Sequence, residues 1–308
     1  QVNESDTLQF ILDTGVSNTI ITDPTVRHWA RDRYGRSVDI EGVGAQGSVR
    51  ANVSIGNTIT VNGQVRIQNH NLIVLDQDIL LLSEVLGTSI HGILGYEFFE
   101  RFAVTLDFPR KLIHLEMADS YRYRKHKGQR LPIVIENRKP YLDSILIADQ
   151  QTERYVRLLI DTGAGHAVLL NTIATGVIAP EKTVQVQLGV GLAGLITGQL
   201  GRLKRIQFGT ITIPNILVSF PDSASYDSKL AQSAAQRQGN IGGELLKRFT
   251  VTFNYKDEYI VLKPLRRMMK EPFEHDMSGM DLRARGTNFK SYFIENVVPE
   301  SPADYAGL

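Results

Sequence analysis

The stretch LQFILDTGVSNTIITD (8–23) decides how this chain is read, because it returns as VRLLIDTGAGHAVLLN (156–171). In both copies an apolar run ends on Asp-Thr-Gly, and a second apolar run follows. One such tripeptide carries little weight, since an Asp at a strand-to-turn position is usually a turn or cap residue. Two copies 148 positions apart call for a search for a repeat across the whole chain.

The repeat extends well beyond the tripeptide. GILGYEFFERFAVTLDF (92–108) aligns without gaps to GNIGGELLKRFTVTFNY (239–255), and seven of the seventeen positions are identical. Between the acid motif and this block each half has a glycine-rich stretch, EGVGAQGSV (41–49) and LGVGLAGLITG (188–198). The order of acid motif, glycine-rich stretch, β-rich segment and Gly-x-[Leu/Ile]-Gly-x-Glu thus occurs twice. The sequence predicts two homologous β lobes, 1–118 and 131–263. A basic linker, 119–130, joins them, and a second linker, 264–278, leads to a C-terminal segment, 279–308.

Short runs rich in Val, Ile, Leu and Thr, broken by Gly, Asn and Asp, make the fold class mainly β with few short helices. Val-Asn-Gly at 61–63 signals a hairpin, because Asn-Gly tolerates the positive φ of tight turns. YEFFERF and GELLKRF each place Glu four residues before Arg, a spacing that suits one helical turn. SASYDSKLAQSAAQRQ (223–238) reads as a surface helix or a loop. PYLDSILIAD and RYVRLLID form a predicted hairpin ahead of the second motif. The first lobe has no counterpart and is expected to lack its opening strand.

Composition narrows the function. The 308 residues, 42% hydrophobic, suffice for two sizeable cores. Thirty-four basic residues against 33 acidic ones leave no excess to attract a nucleic acid. The chain has no cysteine, so thiolate catalysis and cysteine metal sites are excluded. Its histidines lack metal-ligand spacing, and no metal or other cofactor is expected.

Two carboxyls brought together by a pseudo-twofold axis cannot both ionise easily, so they share a proton over a wide pH range. One then acts as base on a water, and the other acts as acid toward a carbonyl. The doubled motif, with its glycine-rich stretch and apolar-apolar-Gly before a short helix, resembles the retropepsin-like aspartic proteases. The chain looks like a single-chain version of these with both subunits fused, as in bacterial secreted aspartyl proteases. VVPESPADYAGL (297–308) resembles the early part of bacterial PDZ domains.

The resemblance implies an aspartic endopeptidase acting on peptide or protein substrates, with Asp13 and Asp161 as the catalytic pair. Thr14 and Thr162 would form the grip between lobes, with Gly15 and Gly163 beside them. Gly42, Val43, Gly44 and Ala45 would belong to one flap over the substrate, and Gly189, Val190, Gly191 and Leu192 to the other. A complete PDZ domain would add a peptide ligand. Fused lobes would need no oligomer for catalysis, and the resemblance alone favours an extracytoplasmic location. Val16 and Ala164 follow the two motifs where pepsin-like enzymes carry a hydroxyl. Without that donor the dyad's pKa values should rise, giving activity at mildly acidic to neutral pH. His166 reads as a hydrogen-bonded or surface residue or as a subsite wall, and Trp29 and Tyr34 as core or pocket residues. Two other readings use the same residues: a non-catalytic peptide-binding module, and paired carboxylates for glycoside hydrolysis.

Overall fold

The computed structural model describes all residues except 31–33, 42–47, 149–151, 192–193, 223–236 and 287. The fold is mainly β. Six strands of the first half make one sheet: β1 (Phe10–Leu12), β2 (Thr19–Ile21), β3 (Tyr34–Glu41), β4 (Ser48–Val61), β5 (Val65–Leu75) and β6 (Gly92–Leu94). Their spatial order is β1-β6-β2-β5-β4-β3. β6 lies between β1 and β2, parallel to the first and antiparallel to the second. At the β4–β5 turn Asn62 and Gly63 take φ of 49° and 66°, as the Asn-Gly signal predicts. A short helix, Tyr96–Arg101, follows β6.

Three strands come next: β7 (Phe102–Asp107), β8 (Leu112–Met117) and β9 (Gln129–Pro132). The second half then builds a larger sheet from β10 (Val134–Glu136), β11 (Lys139–Ala148), β12 (Glu153–Ile160), β13 (Val168–Leu170), β14 (Thr183–Gly191), β15 (Gly194–Phe208), β16 (Ile211–Pro221) and β17 (Gly239–Ile241). Its order is β10-β11-β12-β17-β13-β16-β15-β14. From β12 onward this repeats the first sheet strand for strand, with the same parallel and antiparallel senses. The added β10–β11 hairpin is the main difference. β11 pairs with β12 on one side and β15 on the other, closing this sheet on itself.

The halves meet in a shared sheet. After the helix Gly243–Leu246 come β18 (Phe249–Asn254) and β19 (Tyr259–Pro264), giving the order β8-β7-β18-β19-β9. In the β7–β18 register Thr105 faces Thr252, its own mate in the repeat, and their hydroxyls lie 2.8 Å apart. The local twofold axis therefore passes between them. One hydrophobic core runs through both halves, with Phe99, Val104, Leu158, Phe249 and Phe253 fully buried within it.

The basic stretch after Met117 is partly structured: residues 129–132 are β9, and the Arg130 guanidinium lies 4.1 Å from the Tyr259 ring centroid. Within the second linker, residues 268–273 are pinned. Arg248, 2% exposed, donates to the carbonyls of Met268 (2.6 Å), Glu271 (2.6 Å) and Pro272 (3.2 Å), and Phe273 packs under its guanidinium. Beyond lies a hairpin of β20 (Met280–Arg285) and β21 (Ser291–Val297), then a short helix, Pro302–Tyr305. β20 packs against the helix Leu82–Leu86 of the first half.

Candidate active site

Each Asp-Thr-Gly sits just past the end of a parallel strand pair. β1 runs beside β6, so the Asp13 N–H reaches the Leu94 carbonyl at 2.9 Å. β12 runs beside β17, and the Asp161 N–H reaches the Ile241 carbonyl at 2.9 Å. The glycines of the second repeat block allow this packing. A Cβ on Gly95 would lie 2.5 Å from the Asn18 carbonyl oxygen, and one on Gly242 would lie 2.8 Å from that of Ala164.

Thr14 and Thr162 lock the two loops together reciprocally. The Thr14 N–H donates to Thr162 Oγ1 (3.1 Å), and the Thr162 N–H donates to Thr14 Oγ1 (3.0 Å). Each hydroxyl then donates across the junction, Thr14 to the Ile160 carbonyl (2.6 Å) and Thr162 to that of Leu12 (2.7 Å). Four bonds between threonines and backbone fix the register of the halves to one arrangement, and that arrangement sets Asp13 beside Asp161. Gly15 and Gly163 line the pair from opposite sides. A Cβ on Gly15 would come within 2.8 Å of the Asp161 carboxyl carbon, and one on Gly163 would collide with the Asp13 carboxyl.

The environment of the two carboxyls is uneven. Asp13 is buried and Asp161 half-buried. Burial first, then the neighbouring Asp161 charge, pushes the Asp13 carboxyl up to about 8, against the pull of the Gly15 N–H at 2.6 Å. Asp161 accepts the N–H groups of Gly163 (3.2 Å) and Ala164 (3.1 Å) on Oδ1 and the Asn240 amide (2.9 Å) on Oδ2. Asn240 in turn meets His166 Nε2 at 3.1 Å. His166 is therefore a hydrogen-bonded residue joined to the pair through one intermediate.

Two further residues, Lys139 and Tyr255, sense the charge of the pair. Lys139 opens β11, and burial lowers its pKa while both Asp carboxyls oppose that shift. The turn before it, with Asn137 and Arg138 at positive φ, reaches into the first half. There Ser17 donates to the Asn137 carbonyl (2.9 Å), and Arg138 lies 3.6 Å from Glu97. Tyr255, just past β18, stacks on Phe99, and its buried hydroxyl finds no partner among the described residues. Burial followed by the Asp13 charge raises its pKa well above the usual value.

The glycine-rich stretches close two hairpins. β3 and β4 pair out to Glu41 and Ser48, and β14 and β15 pair out to Gly191 and Gly194. Gly42, Val43, Gly44, Ala45 and Leu192 lie outside the described residues, whereas Gly189, Val190 and Gly191 end β14. Gly189 takes φ +145° where the β14–β15 register shifts, a conformation that favours glycine. Trp29 ends a 3-10 helix, Pro24–Trp29, half-buried, and its carbonyl accepts from Asn3 at 2.6 Å. The Tyr34 side chain lies outside the described residues, as does most of 223–238.

This geometry came from the repeat, and the repeat was legible. The roles of Asn240, Lys139 and Tyr255 were not read from sequence. For Asn240 the sequence shows the departure though not the role: an amide stands where an apolar residue is usual and where the first half has Ile93.

With the geometry in view, comparison with known families bears on the first half. Residues 1–98 match the aspartyl protease family model. A search of curated proteins finds no match. The aspartyl protease match spans β1 to β6 and carries Asp13, Thr14 and Gly15 within it. At this coarse level the chain is similar to enzymes that hydrolyse peptides.

Proposed function

We propose that the protein is an aspartic endopeptidase whose site is made once, at the junction of its halves, from Asp13 and Asp161. The observation that carries this reading is the reciprocal Thr14–Thr162 pairing, which sets two carboxyls side by side with glycine on either flank. An isolated structural Asp requires no such matched surroundings.

The chemistry follows from one proton shared by two acids. The ionised carboxyl takes a proton from a water held between the pair, and the resulting hydroxide adds to the scissile carbonyl. The protonated carboxyl hydrogen-bonds the carbonyl oxygen and stabilises the charge that develops there. Collapse of the tetrahedral intermediate breaks the C–N bond, and a proton passes to the departing amine. Burial raises the Asp13 pKa, so a protonated partner is present at neutral pH. This supports activity at mildly acidic to neutral pH.

The β3–β4 and β14–β15 hairpins are proposed as flaps that close over an extended peptide and exclude water. The substrate would lie as a strand, held by main-chain hydrogen bonds. The β20–β21 hairpin and its helix are proposed as part of a PDZ-like module that binds a further peptide. Thr14, Gly15, Thr162 and Gly163 support the carboxyls and do not themselves react.

The test is incubation with a diverse peptide library at pH 4 to 8, beside Asp13→Asn and Asp161→Asn. Cleavage should fall by at least about a thousandfold in either variant, since neither carboxyl works alone. Cleavage that survives either substitution would rule out the dyad. Peptide binding without cleavage by the native chain would identify a binding module instead.

A further inference from the structure

The halves present Asp13 and Asp161 on equivalent backbone but surround them with different donors. In the second half Asn240 Nδ2 donates to Asp161 Oδ2 (2.9 Å), and Asn240 Oδ1 meets His166 Nε2 (3.1 Å). The corresponding residues of the first half are Ile93 and Asn18. Ile93 is buried and apolar and has no donor to offer Asp13. Asn18 turns away and donates to Glu97 Oε1 at 2.8 Å. The same scaffold thus carries a polar chain into one carboxyl and none into the other.

The chain has a direction. An amide whose NH2 faces a carboxylate must turn its carbonyl the other way, so Oδ1 accepts and His166 Nε2 carries the hydrogen. Both the neutral Nε2–H tautomer and the imidazolium satisfy this. Asp161 then receives three N–H donors, and donors to the charged form favour ionisation.

We propose that Asn240, held in place by His166, makes Asp161 the ionised member of the pair and leaves the shared proton on Asp13. The two carboxyls thereby have fixed and unequal roles, Asp161 as base and Asp13 as acid. The placement of the proton stands on geometry alone, whereas the roles rest on the peptidase reading. Unequal burial acts in the same sense, because the proton belongs on the carboxyl that water reaches least. The raised pKa of Asp13 agrees.

Of the other charged groups facing the pair, Lys139, on β11, acts on both carboxyls and more on Asp161, adding to this bias, while the Tyr255 hydroxyl, past β18, acts on Asp13 ahead of Asp161. Arg237, ahead of β17, faces His166 and Lys139 and opposes protonation of the imidazole. Asn240 and His166 are positioning residues, since neither needs to touch substrate.

The test follows 13C-labelled aspartate carboxyls by NMR across pH, assigned with Asp13→Asn and Asp161→Asn. In the native chain Asp161 should titrate below Asp13. Asn240→Leu removes the donor and should narrow the separation by about one unit or more. His166→Leu should narrow it less, and His166→Gln, which keeps a donor at the same reach, should preserve it. Ile93→Asn places an amide on the Asp13 side and should narrow the gap from that end, so the test does not depend on one variant folding. In an active enzyme, the acid limb of kcat/KM should move up with Asn240→Leu by the amount seen for Asp161. The proposal is overturned if Asp13 titrates first in the native chain. It is also overturned if neither Asn240→Leu nor Ile93→Asn changes the separation. A chain that cleaves nothing but keeps the unequal titration would refute the peptidase reading and support the proton placement.

Discussion

At the scale of single residues, the site is defined by what surrounds two carboxyls. Asp13 stays protonated in the folded state to about pH 8, whereas in the unfolded chain it ionises near 3.8. The folded state therefore holds an extra proton between those values, and its stability falls as pH rises through that window. Asp13→Asn removes the titration. The variant should melt above the native protein at pH 8, with the advantage shrinking toward pH 4, as thermal melts across that range will report. An offset that is the same at every pH would contradict this account. The acids, threonines and glycines were legible because the chain states them twice, 148 positions apart. The Asn240–His166 chain was not. It depends on a contact across 79 residues to Asp161 and another across 74 to His166, and no local pattern records either.

Element scale shows where equal sequence has unequal consequence. Glu97 and Glu244 each stand four residues before an arginine, and the spacing suggests two matching pairs. Only Glu244 pairs with its arginine, Arg248, at 3.4 Å. Glu97 instead accepts from the Asn18 amide (2.8 Å) and the Thr19 N–H (3.1 Å), and Arg138 approaches it from the other half. Arg101 is left exposed, while its mate Arg248 is 2% exposed and clamps the segment after β19. Arg248→Met would strand the carbonyls of Met268, Glu271 and Pro272 and should cost about 2–4 kcal/mol in urea unfolding. Arg101→Met should stay within about 0.5 kcal/mol. The strands themselves were readable from alternating β-branched runs and turn residues. The clamped segment was not, because 264–278 has the texture of a linker and its order comes from a partner 20 to 24 positions away.

For the whole molecule, the repeated strand order follows from the repeated sequence, and the differences follow from the second half's extra hairpin. β10 and β11 let that half close its sheet and extend the Asn137–Arg138 turn across the junction. The junction is also a sheet in which Thr105 meets Thr252, mate against mate. An edge that recognises its own equivalent is self-complementary, so either half of another molecule is a competitor for the same seat. Tethering decides the contest, because a short connector holds the attached half at an effective concentration in the millimolar range. Cutting the chain at a protease site inserted within 119–128 should therefore leave the pieces paired at micromolar protein and let them separate on dilution, read by size-exclusion chromatography. If they remain joined at nanomolar protein, the core and the threonine grip hold the halves without help from the connector. At high concentration the cut pieces should also exchange partners between molecules. The connector's contribution would then lie in which half finds which, a matter of probability rather than of contact.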